Sequence, residues 1–86
     1  GQTLLERQTE RITEINAECR SRLVAKYGPP EEQVSRSLGV YGGAARDAMV
    51  AGIAATVDAS NVAQNAILGA ATLAQVEAVT VTWPAI

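Results

Sequence analysis

Four glutamates, Glu6, Glu10, Glu14 and Glu18, recur at every fourth position near the start of this 86-residue chain. On a helix they form a row of carboxylates along one side, which raises the possibility of a cation site. Hard cations want oxygens that converge from several elements, and here Arg7, Arg11 and Arg22 stand among the acids. The row therefore reads as a solvated helix face, and no metal ligands are expected from it. Arg7, Arg11, Arg20, Arg22 and Lys26 raise the converse question of a nucleic-acid face. Their directions on a helix are spread, acids interleave with them, and the formal net charge is −2. No nucleic-acid partner is expected of such a pattern. Cys19 is the sole cysteine and cannot close an internal disulfide. It lies on an apolar stripe and reads as a core thiol. The segment "GVYGGAAR" is glycine-rich ahead of a helix, but it lacks a P-loop lysine and a GxGxxG pattern, and no strand is expected before it. The chain has no histidine, so the Ser–His and Cys–His dyads and the commonest general base are missing. No catalytic, cofactor-binding or metal-binding residue is assigned, and a non-enzymatic role is expected.

The elements that carry these residues can be read from period and punctuation. Thr3 with Glu6 forms a capping box, in which hydroxyl and carboxylate satisfy two orphan amides. Leu5, Ile12, Ile15, Cys19 and Leu23 follow at helical spacing. Gly28 and the Pro29–Pro30 pair end that helix. Pro30 opens a short second helix with Glu31 and Glu32 in its first turn. Val34 and Leu38 share one side of it, and Gly39 stops it. A third helix is expected from Ala44 or Ala45 to about Gly69. Met49, Ile53, Thr56, Ala63 and Ile67 lie on one side, with Val50, Val57 and Leu68 widening that face. Gly52, Ala55, Ala59 and Ala63 are spaced for close approach of a neighbouring helix. The "VDASN" segment could break this helix, because Asp58, Ser60 and Asn61 favour caps. Thr72 with Gln75 starts a last short helix from Leu73 to about Val79. Thr80, Val81 and Thr82 favour extended backbone, as does Trp83 ahead of Pro84.

The expected architecture is a single all-α domain over 1–86, a small hairpin or bundle of two long and two short helices with an extended C-terminal strap. Its parts are a charged amphipathic helix at 1–28, a short helix and Gly-rich loop at 29–43, small-residue-rich helices at 44–79 and an extended tail at 80–86. Twelve of the sixteen charged side chains fall in residues 1–36. The start is polar and has no apolar h-region. The longest apolar run, "AMVAGIAATV", is far short of the roughly 20 residues that span a bilayer. No signal or membrane partner is expected.

Much of the 48 % hydrophobic content is alanine, and there is no phenylalanine. A thin core in a small chain calls for a staple or a partner, and no staple is present. A protein partner or self-association is therefore expected, as a homo-oligomer or within a larger assembly. The helix-one stripe at Leu5, Ile12, Ile15 and Cys19 is core or oligomer seam. Trp83 either folds back over the alanine-rich helices or anchors another subunit.

The stretch "ASNVAQNAILGAATLAQVEAVTVTWP" resembles the ends of small proteins encoded in tailed-bacteriophage structural gene clusters. The matching positions are Ala59, Ser60, Asn61, Ile67, Ala71, Leu73, Val79, Trp83 and Pro84. The resemblance implies a virion or tail-associated component, located in the virion or the host cytoplasm. An assembly chaperone or small regulatory adaptor is the alternative.

Overall fold

The computed structural model describes residues 1–37 and 43–86, apart from the side chains of 34–37. Four helices follow one another: α1 (Leu4–Tyr27), α2 (Pro30–Ser37), α3 (Gly43–Leu68) and α4 (Leu73–Ala78). No strand occurs among the described residues. The expected facing of Val34 and Leu38, the stop at Gly39 and the Gly-rich loop lie outside the described residues or side chains.

Local signals set the ends of α1. The Thr3 hydroxyl accepts from the Glu6 amide at 3.1 Å, and the Glu6 carboxylate accepts from the Thr3 amide at 3.4 Å, completing the capping box. At the other end Gly28 adopts φ 85°, a left-handed value that glycine tolerates. Its amide donates to the Val24 carbonyl at 2.9 Å. At α4 the box is only half formed. The Thr72 hydroxyl accepts from the Gln75 amide, but the Gln75 side chain takes the Ala71 amide instead of that of Thr72.

The two long helices pack antiparallel. The Gln8 amide at the start of α1 donates to the carbonyls of Ile67 and Ala70 at the end of α3, at 3.0 and 3.5 Å. The Ile67 carbonyl also accepts from the Ala70 amide at 3.1 Å, so the turn that closes α3 is tied both to itself and to α1. The core cluster is Ile15, Ala63, Ile67 and Val76, with Leu4, Ile12, Val79, Val81 and Trp83 packed against it. The body is elongated, 50 × 18 × 15 Å.

α3 is unbroken through "VDASN". Ser60 is buried, and its hydroxyl accepts from the Gln64 amide at 2.8 Å. Thr56, also buried, donates its hydroxyl to the Gly52 carbonyl at 2.8 Å. Ser60 sits inside the helix with its hydroxyl satisfied within one turn, and Asp58 and Asn61 are exposed.

The facing of both long helices differs from the expectation in part. Ile15 and Cys19 are buried and Ile12 and Leu23 partly so, but Leu5 is 71 % exposed. Leu4 takes its place in the core, because it lies eleven residues, about three full turns, before Ile15. On α3, Met49, Thr56, Ala63 and Ile67 are buried as expected, with Ile53 partly buried. Val50, Val57 and Leu68 do not widen that face; they are 48, 39 and 63 % exposed. The small-residue line is likewise rotated. Gly52 and Ala63 are buried, Ala59 is partly covered, and Ala55 is exposed. The inward line runs Gly52, Thr56, Ser60, Ala63 and Ile67.

The tail is an extended strap without strand pairing. Trp83 does not project away. It is partly buried against the core cluster, its indole N–H donates to the Glu18 carboxylate, and the Arg22 guanidinium lies over its ring, 4.9 Å from the centroid.

Candidate interaction surface

The ionisable groups with displaced pKa values form one constellation, and it is structural. Arg7 forks onto Glu77 of α4 through two nitrogens, one of them at 3.1 Å, and also reaches Glu10 at 3.1 Å and Glu14 at 3.3 Å. Bonding by Arg7 holds the Glu77 carboxyl below its ordinary value. Glu10 is lowered by hydrogen bonds from Gln2 and then Arg7. Arg7 is raised in turn, most by Glu77. Glu10 and Glu14 of the glutamate row thus join Glu77 in an ion-pair lattice around Arg7 that ties α4 to α1, with Arg11 adding bonds to Glu14 and to the Val79 carbonyl. Among the described residues no group of His, Cys, Asp and Glu could hold a metal ion. Nor is any helix there long and apolar enough to cross a membrane.

α4 and the strap cover one side of the hairpin; the other is open except near the start of α3, where α2 packs. Arg7, which holds α4, and Asn16 are nine residues apart, or two and a half turns, and so point to opposite sides of α1. On the open side the Asn16 carbonyl accepts from the Gln64 amide of α3 at 2.7 Å. Leu5 lies three turns before Asn16 on this side of α1, and Leu68 lies one turn beyond Gln64 on α3. Both are among the most exposed large apolar side chains, at 71 and 63 %. Along α3 the exposed stripe continues through Asn61, Val57, Ala54 and Val50. Near its start α2 forms one wall of a groove of about 560 Å³ lined by Pro30, Gln33, Val50, Ile53, Ala54 and Val57.

The α3 part of this surface is almost free of charge, because Asp58 is the sole charged residue between Ala48 and Leu68. Several large apolar side chains exposed along one helix side mark a candidate docking surface. The arrangement can dock an apolar face.

Of the residues expected to make contacts, Ile15 and Cys19 are spent inside the chain, and the Cys19 thiol points at the Thr56 carbonyl at 4.0 Å. Ile12 is partly covered, Trp83 is held on α1 by Glu18 and Arg22, and Leu5 stands free on the open side. Sequence reasoning assigned Val50, Val57 and Leu68 to the core. Their spacing marked a stripe, but not which way it faced.

A second feature lies at the opposite end of the hairpin. Tyr27 is buried with its hydroxyl against the backbone of Gly52, where a Cβ would come within 1.9 Å of the oxygen. The ring forms part of a groove of about 740 Å³ with Met49, Gly52, Ala55, Pro84 and Ile86. Gly52 thus makes room for an aromatic side chain, where its sequence spacing suggested room for a helix.

Comparison with protein-family models, curated proteins and solved structures finds no match to this chain.

Proposed function

We propose that this chain is a non-enzymatic protein–protein interaction module that works within a larger assembly. The observation that carries the reading is the exposed side of α3, where Val50, Val57 and Leu68 stand out on a helix face almost without charge and Leu5 of α1 lies beside its end. Charged faces resist burial unless every ion finds a partner, whereas this one can be covered without that cost. The module is a component of a bacteriophage virion or its tail, a setting supported by the resemblance of residues 59–84 to small proteins of phage structural gene clusters.

The test is peptide mass spectrometry of purified particles and of assembly intermediates from producing cells. A constant copy number in finished particles is expected. Presence in intermediates alone would make the chain an assembly chaperone, and absence from both would reject the phage setting. The interaction reading is tested apart from the setting. Leu68→Lys, at an exposed position, should leave the fold intact and remove the chain from its assembly.

A further inference from the structure

The exposed stripe on α3 has a symmetry of its own. Val50, Ala54, Val57, Asn61, Gln64 and Leu68 follow at steps of four, three, four, three and four. This is the alternation with which two helices mesh along a seam, and it reads the same from either end. We propose that two copies of this chain pair antiparallel through α3, about a two-fold axis level with Ala59 on the opposite side of the helix from its side chain. The proposal rests on the interaction reading above and names its partner.

With that axis, Val50 meets the partner's Leu68, Ala54 meets the partner's Gln64, and Val57 meets the partner's Asn61. The sizes suit one another. Two branched apolar side chains close each end, and the smallest residue of the stripe faces the longest. Gln64 is already held flat by Asn16 and Ser60, which accept from its amide at 2.7 and 2.8 Å. It offers its apolar stem without a loose polar end. The two Asn61 side chains lie about 6 Å apart along the helix axes, close enough to pair with each other across the axis. A single polar pair in an apolar seam fixes register.

Electrostatics favours the same partner and direction. The outer face of α1 carries Glu, Arg and Lys, and pairing with it would bury charges against an uncharged stripe. The stripe of a second copy brings no charge into the seam. Arg46, one turn before Val50 and bonded to Asp47, then lies near the end of the partner's α3. There a cation is favoured by the carbonyl end of the helix.

The area agrees with a reversible complex. The stripe runs about 27 Å along α3 on a body 18 Å wide. Counting the full width of the body, the footprint is at most about 500 Å² per chain and about 1,000 Å² for the pair, at the lower edge of specific interfaces.

Sedimentation velocity of the purified chain across the micromolar range, combined with cysteine cross-linking, tests the pairing. A concentration-dependent dimer is expected. Leu68→Lys should weaken it by about tenfold or more while the helical circular dichroism stays unchanged. A mixture of Val50→Cys and Leu68→Cys chains should give a disulfide joining the two variants, identified by peptide mapping, and little disulfide in either variant alone. A monomer at high micromolar concentration overturns self-pairing, as does a dimer indifferent to Leu68→Lys. A disulfide joining two Val50→Cys chains overturns the antiparallel direction. Failure here is separable from failure of the interaction reading, since a monomer that Leu68→Lys still removes from its assembly docks another protein through this face.

Discussion

The two long helices present similar inner sides and opposite outer ones. α1 buries Ile15, Cys19 and Tyr27, and α3 buries Met49, Thr56, Ala63 and Ile67. Outward, α1 carries a lattice of arginine and glutamate that clamps α4, whereas α3 offers valine, alanine, asparagine and leucine. The difference teaches that burial pattern alone does not separate a scaffold helix from a docking helix. What an element does with its exposed side is decided by the residues that have no core to satisfy.

If the inner sides are equivalent, truncating either should cost the most. Ile15→Ala and Ile67→Ala, at residues 1 and 0 % exposed, should each lose about 2–5 kcal/mol, the range for buried aliphatic truncations. Chemical denaturation measures this, and a loss on one helix only would break the equivalence. A smaller loss is expected where the helices meet through Tyr27. Gly52→Ala places a Cβ against the Tyr27 hydroxyl and should cost about 1–3 kcal/mol through overpacking. Combined with Tyr27→Phe, which removes the clashing oxygen, the loss should be less than the sum of the two. Simple additivity would show that the ring moves aside.

Trp83 is a contact that α1 makes with the strap. Since it is only partly buried, Trp83→Ala should cost about 1–3 kcal/mol, less than a fully buried aromatic. No change in the melting temperature would mean that the strap adds nothing to the fold.

The smallest effect belongs to the outer face of α1. Glu77 and Glu10 have their pKa values lowered by their hydrogen-bond partners. Their contribution is complete above the ordinary value of 4.5 and is lost as pH falls below it through the lowered folded values. Glu77→Gln should therefore change stability slightly at neutral pH and flatten its decline in acid. An unchanged acid limb would remove the ion-pair lattice from the account of α1. Leu68→Lys, the matching change on α3, should leave stability within about 0.5 kcal/mol.

The architecture was legible because its signals are local. Thr3 with Glu6, Gly28 before Pro29, and Thr72 ahead of Gln75 each act within one turn, and each is where the structure begins or ends a helix. Facing was less legible. On α1, Leu4 and Leu5 are equally apolar neighbours, and the choice between them depends on where α3 lies. On α3 alanine fits inside and outside alike, so the stripe containing Val50, Val57 and Leu68 could be turned either way. The contact between Tyr27 and Gly52 joins residues twenty-five positions apart, and no spacing rule connects a tyrosine at one helix end with a glycine inside another. The candidate surface was legible only through Leu5, on the stripe expected to be core or oligomer seam.

The elongated body has a consequence for how pairs of this chain diffuse and scatter. A rod 50 Å long and 18 Å wide that doubles side by side gains thickness and almost no length. Its largest dimension stays near that of one chain while its cross-section grows. Doubling end to end would do the reverse, and the two tumble with different anisotropy. Small-angle scattering therefore distinguishes a lateral assembly from a filament by whether the longest interatomic distance or the cross-sectional radius rises on association.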